Sequence, residues 1–185
     1  MDTAVSTTTN GFLRRVVGAA ALDPSVYEEV EADRGATGQA LLVVVLSSLA
    51  AGVGARGFGA TGVSSVAFFG IVALMAWATW ALVAFEVGVR LLPQPQTRAD
   101  VGELLRTTGF AAAPGMLQVF GLLPGLTGLV FVATWVWMLA AMVLGVRQAL
   151  DFTTVRRAVL VCVFGMGVAL VFAVVLGFFF GPRVS

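Results

Sequence analysis

The sequence predicts an all-α integral membrane protein: a five-span transmembrane helical bundle with short N-terminal interfacial helices. Five apolar stretches are each about as long as a helix that crosses a hydrocarbon core of roughly 30 Å, which takes about 20 residues. The composition agrees, because 59% of the 185 residues are hydrophobic, 11% are charged and the mean hydropathy is +0.98. The arginines between the stretches fall on alternate connections, which is typical of a chain that crosses a membrane repeatedly.

Residues 1–36 are predicted to form a cytoplasmic interfacial segment, since they are too few to bury a core of their own. Residues 12–20 form an amphipathic helix, beside which Arg14 and Arg15 can reach lipid phosphates. Its apolar face consists of Phe12, Leu13, Val16, Val17 and Ala20. We therefore expect this helix to lie at the membrane surface.

A second short helix follows at once. Asp23 or Ser25 can cap its N-terminus, Pro24 suits its first position, and Glu28 can complete a capping box with Ser25. Its acidic side chains are predicted to be exposed: Glu28, Glu29, Glu31 and Asp33. A solvated helix face is the simpler interpretation of these acids, and a docking face for a basic partner is the alternative.

The first predicted span covers residues 37–55 and ends at Arg56. The second covers residues 63–85 and can continue to residue 92, where the prolines Pro93 and Pro95 break the helix. Thr97 followed by Asp100 predicts the start of a further helix, of the capping-box type. That helix approaches the membrane before the third span begins.

The third span is the shortest, because residues 109–123 number only 15 and contain Pro114. Counting from Leu104 restores 20 residues, with Arg106 extending its guanidinium to the headgroups. A tight turn at Leu123-Pro124-Gly125 then leads to the fourth span, residues 126–146, and the fifth covers residues 158–180.

The arginine distribution predicts the orientation. With five spans, Arg56 and Arg183 lie on one side of the membrane and the other nine arginines lie on the side of the N-terminus. Those nine are Arg14, Arg15, Arg34, Arg90, Arg98, Arg106, Arg147, Arg156 and Arg157. This asymmetry predicts a cytoplasmic N-terminus and an external C-terminus. If the segment around Pro114 were a re-entrant loop, four spans would remain and the division would weaken to seven against four.

Charged residues near the span ends form three helical pairs: Glu86 with Arg90, Glu103 with Arg106, and Arg147 with Asp151. Each pair can close within one helix or join neighbouring helices. Asp151 can also cap the start of the fifth helix. Beyond these structural roles, Arg147, Arg156 and Arg157 are the predicted contacts for anionic lipids.

Polar residues inside the spans are few, and no Asp or Glu lies near the centre of any predicted span. This argues against a proton-coupled or cation-coupled transporter. Pro114 can open the third helix, and Gln118 lies one turn beyond it. Ser47, Ser48 and Thr134 either join Gln118 in a narrow polar path or, as is more frequent, hydrogen-bond between helices.

Several enzyme chemistries lack their usual residues in this chain. All eleven basic residues are arginine, and histidine and lysine are absent, which indicates a GC-rich coding bias and so a prokaryotic source. With no His and with Cys162 alone, one chain cannot assemble a zinc site, a haem site, a disulfide or a Cys/His catalytic pair. We therefore predict no catalytic residue, no cofactor and no metal. The arginines do not form an aromatic-interleaved patch, so nucleic acid is not an expected partner.

Tryptophans and glycines indicate how the helices pack. Four tryptophans are predicted to pack on small side chains of neighbouring helices, with lipid contact or a hydrophobic ligand cleft as the alternatives: Trp77, Trp80, Trp135 and Trp137. Gly177 and Gly181 have the small-residue spacing of a contact between copies in a homo-oligomer. Gly165 and Gly167 can serve packing within the chain equally well.

Local strings occur in an order typical of a known family. They are DPSVYEEVEAD (23–33) before the first span, LRTTGFAAAP (105–114) in the third, Pro124 before a tryptophan-bearing fourth span, and VRQALDFTT (146–154) leading into Arg157-Ala158. Over residues 12–181 the chain resembles the polytopic Ypt-interacting protein (Yip) family, in its prokaryotic branch. On this resemblance, residues 37–185 form a Yip-like five-span membrane domain.

The resemblance implies a non-enzymatic membrane protein. Eukaryotic members of the family are associated with Rab-type GTPases and with vesicle and organelle membranes. This chain lacks the Asp-Leu-Tyr-Gly-Pro string typical of that branch, so Rab binding is not carried over.

The predicted function is that of a multi-pass cell-membrane scaffold or adaptor that binds partner proteins or lipids. The expected partners are membrane lipids, a membrane or cytoplasmic protein, and a second copy of the chain. The alternative is a transporter or channel for a small solute or lipid. The candidate structural or contact residues are Glu28, Glu31, Glu86, Arg90, Arg106, Pro114, Gln118, Arg147, Asp151, Arg156 and Arg157.

Overall fold

A computed structural model describes residues 2–59, 62–91 and 100–180. Within these ranges all regular structure is helical. The α-helices are α1 (Asp2–Ala20), α2 (Pro24–Ala32), α3 (Thr37–Gly54), α4 (Gly62–Glu86), α5 (Val101–Ala111), α6 (Thr127–Ala149) and α7 (Val155–Phe180). A ten-residue 3-10 helix, Ala113–Leu122, follows α5 and is called the 3-10 segment below.

Some sequence predictions fall outside the described residues. They concern Pro93, Pro95, Thr97, Arg98, Gly181 and Arg183. The predicted helix is α5, but it begins at Val101, three residues later than a cap at Thr97 would place it, and the backbone N–H of Asp100 donates to the Glu103 carboxylate (3.2 Å). Asp100 is therefore the N-cap of this helix, with Glu103 at the third position.

Four helical segments of the described chain are long and apolar enough to cross a membrane: Arg34–Phe58, Gly62–Arg90, Thr127–Ala149 and Val155–Phe180. They contain the predicted first, second, fourth and fifth spans. Large apolar side chains cover their outer surfaces, as Leu129 and Val132 of α6 and Leu170 and Val171 of α7 illustrate. Such surfaces suit a lipid solvent, so the predicted α-helical membrane protein is confirmed.

The third predicted span is not one continuous α-helix. It is α5 followed by the 3-10 segment, and the change begins where the N–H of Ala112 donates to Gly109 three residues back (3.2 Å). Pro114 explains the change, because its ring removes one N–H donor and clashes with the carbonyl four residues earlier in an α-helix. A 3-10 helix rises about 2.0 Å per residue, so this segment is thinner and longer than an α-helix of equal length.

The 3-10 segment and α5 run parallel to α3. Near the start of α3, Ala40 lies against Gly109, and in its middle the Ser47 hydroxyl donates to the carbonyl of Ala112 (2.7 Å). The last residue of α3, Gly54, lies against the backbone of the 3-10 segment. The two elements therefore extend side by side along the length of α3.

A tight turn reverses the chain into α6, as predicted. The N–H of Leu126 donates to the carbonyl of Leu123 (3.1 Å), and Gly125 has a φ of 76°. This combination is the type II turn that Pro124 followed by glycine favours. Helix α6 then runs antiparallel to α5, with Gly145 against Thr107.

The membrane-length elements close into a ring. Helix α3 packs on α4, α4 on α7, α7 on α6, and α6 on α5 and the 3-10 segment, which return to α3. Helices α4 and α7 are antiparallel, and the Trp80 indole donates to the carbonyl of Cys162 (3.2 Å). Trp80 is also in contact with Gly165, as predicted for a tryptophan facing a small residue.

These directions gather basic side chains at one end of the ring. Helices α3, α5 and α7 begin there, and α4 and α6 end there. This arginine-rich end carries Arg90, Arg106, Arg147, Arg156 and Arg157. Arg56 lies at the opposite end, just after α3.

Helices α1 and α2 form a hairpin on the flank of α5 and α6. Tyr27 is fully buried, and its hydroxyl donates to the carbonyl of Ala19 in α1 (3.0 Å). The indole of Trp137, in the middle of α6, donates to the carbonyl of Ala20 (2.7 Å). Two helices are therefore observed where two short ones were predicted, but α1 begins at Asp2, ten residues before the predicted start, and the turn between them reaches halfway along α6.

Candidate functional site at the arginine-rich end

The arginines of α1 join the two arms of the hairpin. Arg15 pairs with Glu29 (Nε to Oε1, 2.8 Å) and with Asp33 (Nη2 to Oδ2, 2.7 Å), and Arg14 also pairs with Glu29. Hydrogen bonds from Arg14 and Arg15 lower the pKa of Glu29, and the bond from Arg15 lowers the pKa of Asp33. The sequence predicted that both arginines reach lipid phosphates, whereas in the structure they pair with α2.

Arg106 fastens the hairpin to the bundle. Its side chain is buried (4% exposed), and its guanidinium donates to the carbonyls of Val30 (3.0 Å) and Glu31 (3.1 Å). These carbonyls belong to the last turn of α2, where unpaired acceptors and the negative end of the helix dipole favour a cation. The predictions that Arg106 extends to headgroups and pairs with Glu103 are therefore wrong.

Three of the predicted contact residues surround one polar pocket between α2 and the end of α6. Glu28 comes from α2, and Arg147 and Asp151 come from the end of α6. The pocket volume is about 310 Å³, and its remaining lining is Pro24, Leu144, Gln148 and Phe152. We call it the polar pocket. It exposes two carboxylates and one guanidinium to solvent.

The end of α6 determines the position of Asp151. The N–H of Asp151 donates to Gln148 (3.0 Å) and that of Phe152 donates to Arg147 (3.0 Å), with Asp151 at φ 50°. This is a Schellman motif, and the burial of Phe152 anchors it. The predicted pair between Arg147 and Asp151 is replaced, because Arg147 donates to the carbonyl of Phe152 (3.4 Å). Asp151 thus ends α6, four residues before α7 begins.

Glu31 lies behind the polar pocket, half-buried. Burial, together with the charges of Asp151 and Glu103, raises its pKa, although Gln148 donates a hydrogen bond to it and Arg106 is near. The arginine-rich end therefore also concentrates carboxylates that repel one another.

Glu86, the last residue of α4, forms the predicted pair with Arg90 in the π-helical turn that follows, Val87–Leu91 (Nε to Oε2, 2.9 Å). Both side chains are largely exposed and lie on a different flank from the polar pocket. An apolar cavity of about 370 Å³ lies beside Glu86, between α4 and α5. Pairs this exposed contribute little to stability, so this one is a surface feature.

Pro114 and Gln118 are both buried in the 3-10 segment, far from the polar pocket. Two of the polar residues grouped with Gln118 in the sequence have hydrogen-bond partners elsewhere. Ser47 donates to Ala112 across the helix pair, and the Thr134 hydroxyl donates to the carbonyl of Val130 in its own helix (2.7 Å). These two contacts satisfy side chains locally, in the manner the sequence favoured.

The start of α7 carries the remaining predicted lipid contacts. Arg156 is exposed, and Arg157 is half-buried and interacts within the chain. In the same helix, a Cβ atom added at Gly177 would have no atom of another described helix within 4 Å, so this position faces open space.

Sequence reasoning missed the contacts that hold the hairpin. Trp137 was expected to face small side chains, whereas its N–H meets a carbonyl exposed at the end of α1. For Tyr27 the sequence contained only a weak indication of such a contact: this residue is the single tyrosine of the chain and lies in an amphipathic helix. Its burial raises the pKa of its hydroxyl.

Among the described residues, no group of three or more Cys, Asp or Glu side chains is arranged to hold a metal ion. The polar pocket can instead form charge-assisted hydrogen bonds with a basic or zwitterionic group.

The fold and this site define a class: a polytopic α-helical membrane protein with an N-terminal hairpin docked on the flank of its bundle. The family model for the Yip1 domain matches residues 20–176, and the chain therefore belongs to the Yip family. This confirms the family predicted from the local strings. The family is not known for enzymatic activity. No curated protein and no solved structure matches the chain.

Proposed function

We propose that this protein is a membrane adaptor whose polar pocket receives a basic side chain of a partner protein at the cytoplasmic face. The observation that carries the proposal is the convergence of Glu28 and Asp151, from elements more than 100 residues apart in sequence, on one open pocket. Arg147 stands beside them as a fixed donor for an acceptor group of the partner. Carboxylates at a rim attract cations and orient them without deep burial.

We further propose five crossings, with the arginine-rich end in the cytoplasm and the opposite end outside. In support, α5 and the 3-10 segment follow α3, itself of membrane length, from one end to the other. At about 1.5 and 2.0 Å per residue, their 11 and 10 residues cover roughly 36 Å, more than the hydrocarbon core needs. The clustering of arginines at one end supports the cytoplasmic assignment.

The α1–α2 hairpin is proposed to lie in the interface on the cytoplasmic side, with its turn inserted beside α6. Arg147, Arg156 and Arg157 are proposed contacts for anionic headgroups of the cell membrane. Gly177 lies on an open face of α7 and is proposed as a contact between copies of the chain. The exclusively arginine basic composition supports the prokaryotic branch.

The adaptor proposal is tested by photo-crosslinking in native membranes, with a reactive amino acid at Gln148, inside the polar pocket. We expect a discrete crosslinked protein whose yield falls at least severalfold in the Glu28→Gln/Asp151→Asn double variant. Glu86→Gln, on the other flank, is the matched control and should leave the yield unchanged. Equal yields in all three proteins, or solute flux through liposomes containing the purified chain, would favour the transporter alternative.

A further inference from the structure

The helices of the ring form a partly open cavity in its membrane-spanning part. Two compartments, of about 120 and 160 Å³, adjoin through four shared lining residues: Ala73, Trp77, Trp135 and Met138. The larger compartment is apolar and continues between Trp80, Met142 and Met166. Each compartment is comparable to a cavity of ~150 Å³ that takes up benzene. The space therefore suits a small apolar molecule.

The smaller compartment has a polar end formed by Ser48 of α3 and Gln118 of the 3-10 segment. Gln118 is only 9% exposed and Ser48 only 7%. Neither side chain has a hydrogen-bond partner within the described part of the chain, and their polar atoms reach the cavity surface instead of being sealed in the protein. The adjacent Ser47 and Thr134 differ, since both donate to carbonyls.

An amide and a hydroxyl without partners are costly at membrane depth, where water does not replace the missing bonds. A ligand that supplies one hydrogen-bonding group removes this cost. None of the described residues that line the cavity is charged, so the ligand has to be neutral. Tryptophan and methionine surfaces adapt to an apolar chain of varied shape.

We propose that this cavity binds a neutral lipidic molecule that bears a single hydroxyl or carbonyl group. That group meets Gln118 and Ser48, and the apolar chain lies between Trp77 and Trp135 toward Met166. The site is separate from the polar pocket and does not depend on the proposed adaptor function.

The test uses the intact protein in nanodiscs and its own tryptophan fluorescence. Trp77, Trp80 and Trp135 line the cavity, so bromine bound there quenches them. We expect saturable quenching by 10-bromodecan-1-ol. Gln118→Leu, of similar size, should weaken its apparent affinity about fivefold, as the loss of one hydrogen bond does, and should leave quenching by 1-bromodecane unchanged.

Two variants complete the design. Thr134→Ala removes a hydroxyl that is satisfied within its own helix, and should leave the affinity for the alcohol as in the wild type. Ala73→Phe fills the junction of the compartments and should abolish the saturable component, provided that the circular dichroism spectrum is unchanged. Quenching that rises linearly in the wild type, or equal affinities of the wild type and Gln118→Leu for the alcohol, would overturn the proposal.

Discussion

Two residues end helices in a left-handed backbone conformation that usually requires glycine. Leu22 (φ 62°) ends α1, and Asp151 (φ 50°) ends α6. Both positions belong to Schellman motifs, since the N–H of Leu22 donates to Ala19 and that of Asp23 donates to Gly18. A side chain in this conformation costs free energy, and such strain is frequent at functional positions.

Replacing Asp151 separates its backbone role from its carboxylate. Asp151→Gly should raise the free energy of unfolding by roughly 1 kcal/mol, because glycine adopts a positive φ without strain. The same variant should lower the yield of the crosslink from the polar pocket. Thermal unfolding and crosslinking measure the two effects. Asp151→Asn is the control, which tolerates the conformation and should lower only the crosslink; a destabilised Asp151→Gly protein would refute the strain argument.

Glu31 predicts a pH dependence of stability. The pKa of Glu31 is raised in the folded protein, so ionisation of this carboxyl group opposes folding. The resulting loss of stability is absent below the pKa of Glu31 in the unfolded chain, about 4.3, and develops as the pH rises through its pKa in the folded protein. Glu31→Gln should therefore have a higher melting temperature than the wild type at pH 7, with the difference vanishing near pH 4. The exposed Glu28→Gln is the control. A melting-temperature difference that is constant from pH 4 to 7 would contradict this account.

The 3-10 segment depends on glycine in α3. A Cβ on Gly54 would collide with the backbone carbonyl of Gln118, whereas a Cβ on Gly167 in α7 would meet nothing within 4 Å. We expect Gly54→Ala to lose about 1–3 kcal/mol of unfolding free energy through overpacking. The matched Gly167→Ala should gain up to ~1 kcal/mol from helix propensity. Equal melting curves for both variants would show that the two elements do not approach this closely.

The hairpin depends on one side chain from α5. Arg106→Met removes the donors to the last turn of α2 and should cost about 1–3 kcal/mol, because buried carbonyls lose their partners. Undocking is measured by the thiol reactivity of Val26→Cys, a buried α2 position, in a Cys162→Ser background. Labelling should be faster in Arg106→Met and unchanged in Arg90→Met, which removes an exposed arginine. Unchanged labelling in both variants would mean that other contacts hold the hairpin.

At the scale of the whole molecule, the proposed five crossings put the two ends of the ring on opposite sides of the membrane. In a Cys162→Ser background, Arg56→Cys should react with an impermeant thiol reagent in intact cells. Arg156→Cys should react only after the membrane is permeabilised. Labelling of both variants from outside would require an even number of crossings, and labelling of Arg156→Cys from outside in either case would remove the proposed cytoplasmic pocket.

The amino-acid sequence by itself determined the membrane class, four of the helices of membrane length, the turn at Gly125, the Glu86–Arg90 pair and the family. These features depend on residues that are neighbours along the chain. Lipid provides no partner for backbone groups, so each crossing requires a long apolar run that hydropathy detects directly.

Only the tertiary structure decided which polar groups meet. Arg106 donates to carbonyls 75 and 76 residues away, Arg15 turns toward α2, and Gln118 faces a cavity with no hydrogen-bond partner in the described ranges. Charge and spacing offered both arginines a nearby alternative, in a headgroup or on the same helix, and offered Gln118 a hydrogen bond to another helix. The partner that each group takes depends on how closely the helices approach one another. Pro114 and the glycines of α3 set that distance, because they allow close contacts between segments that are distant in the sequence.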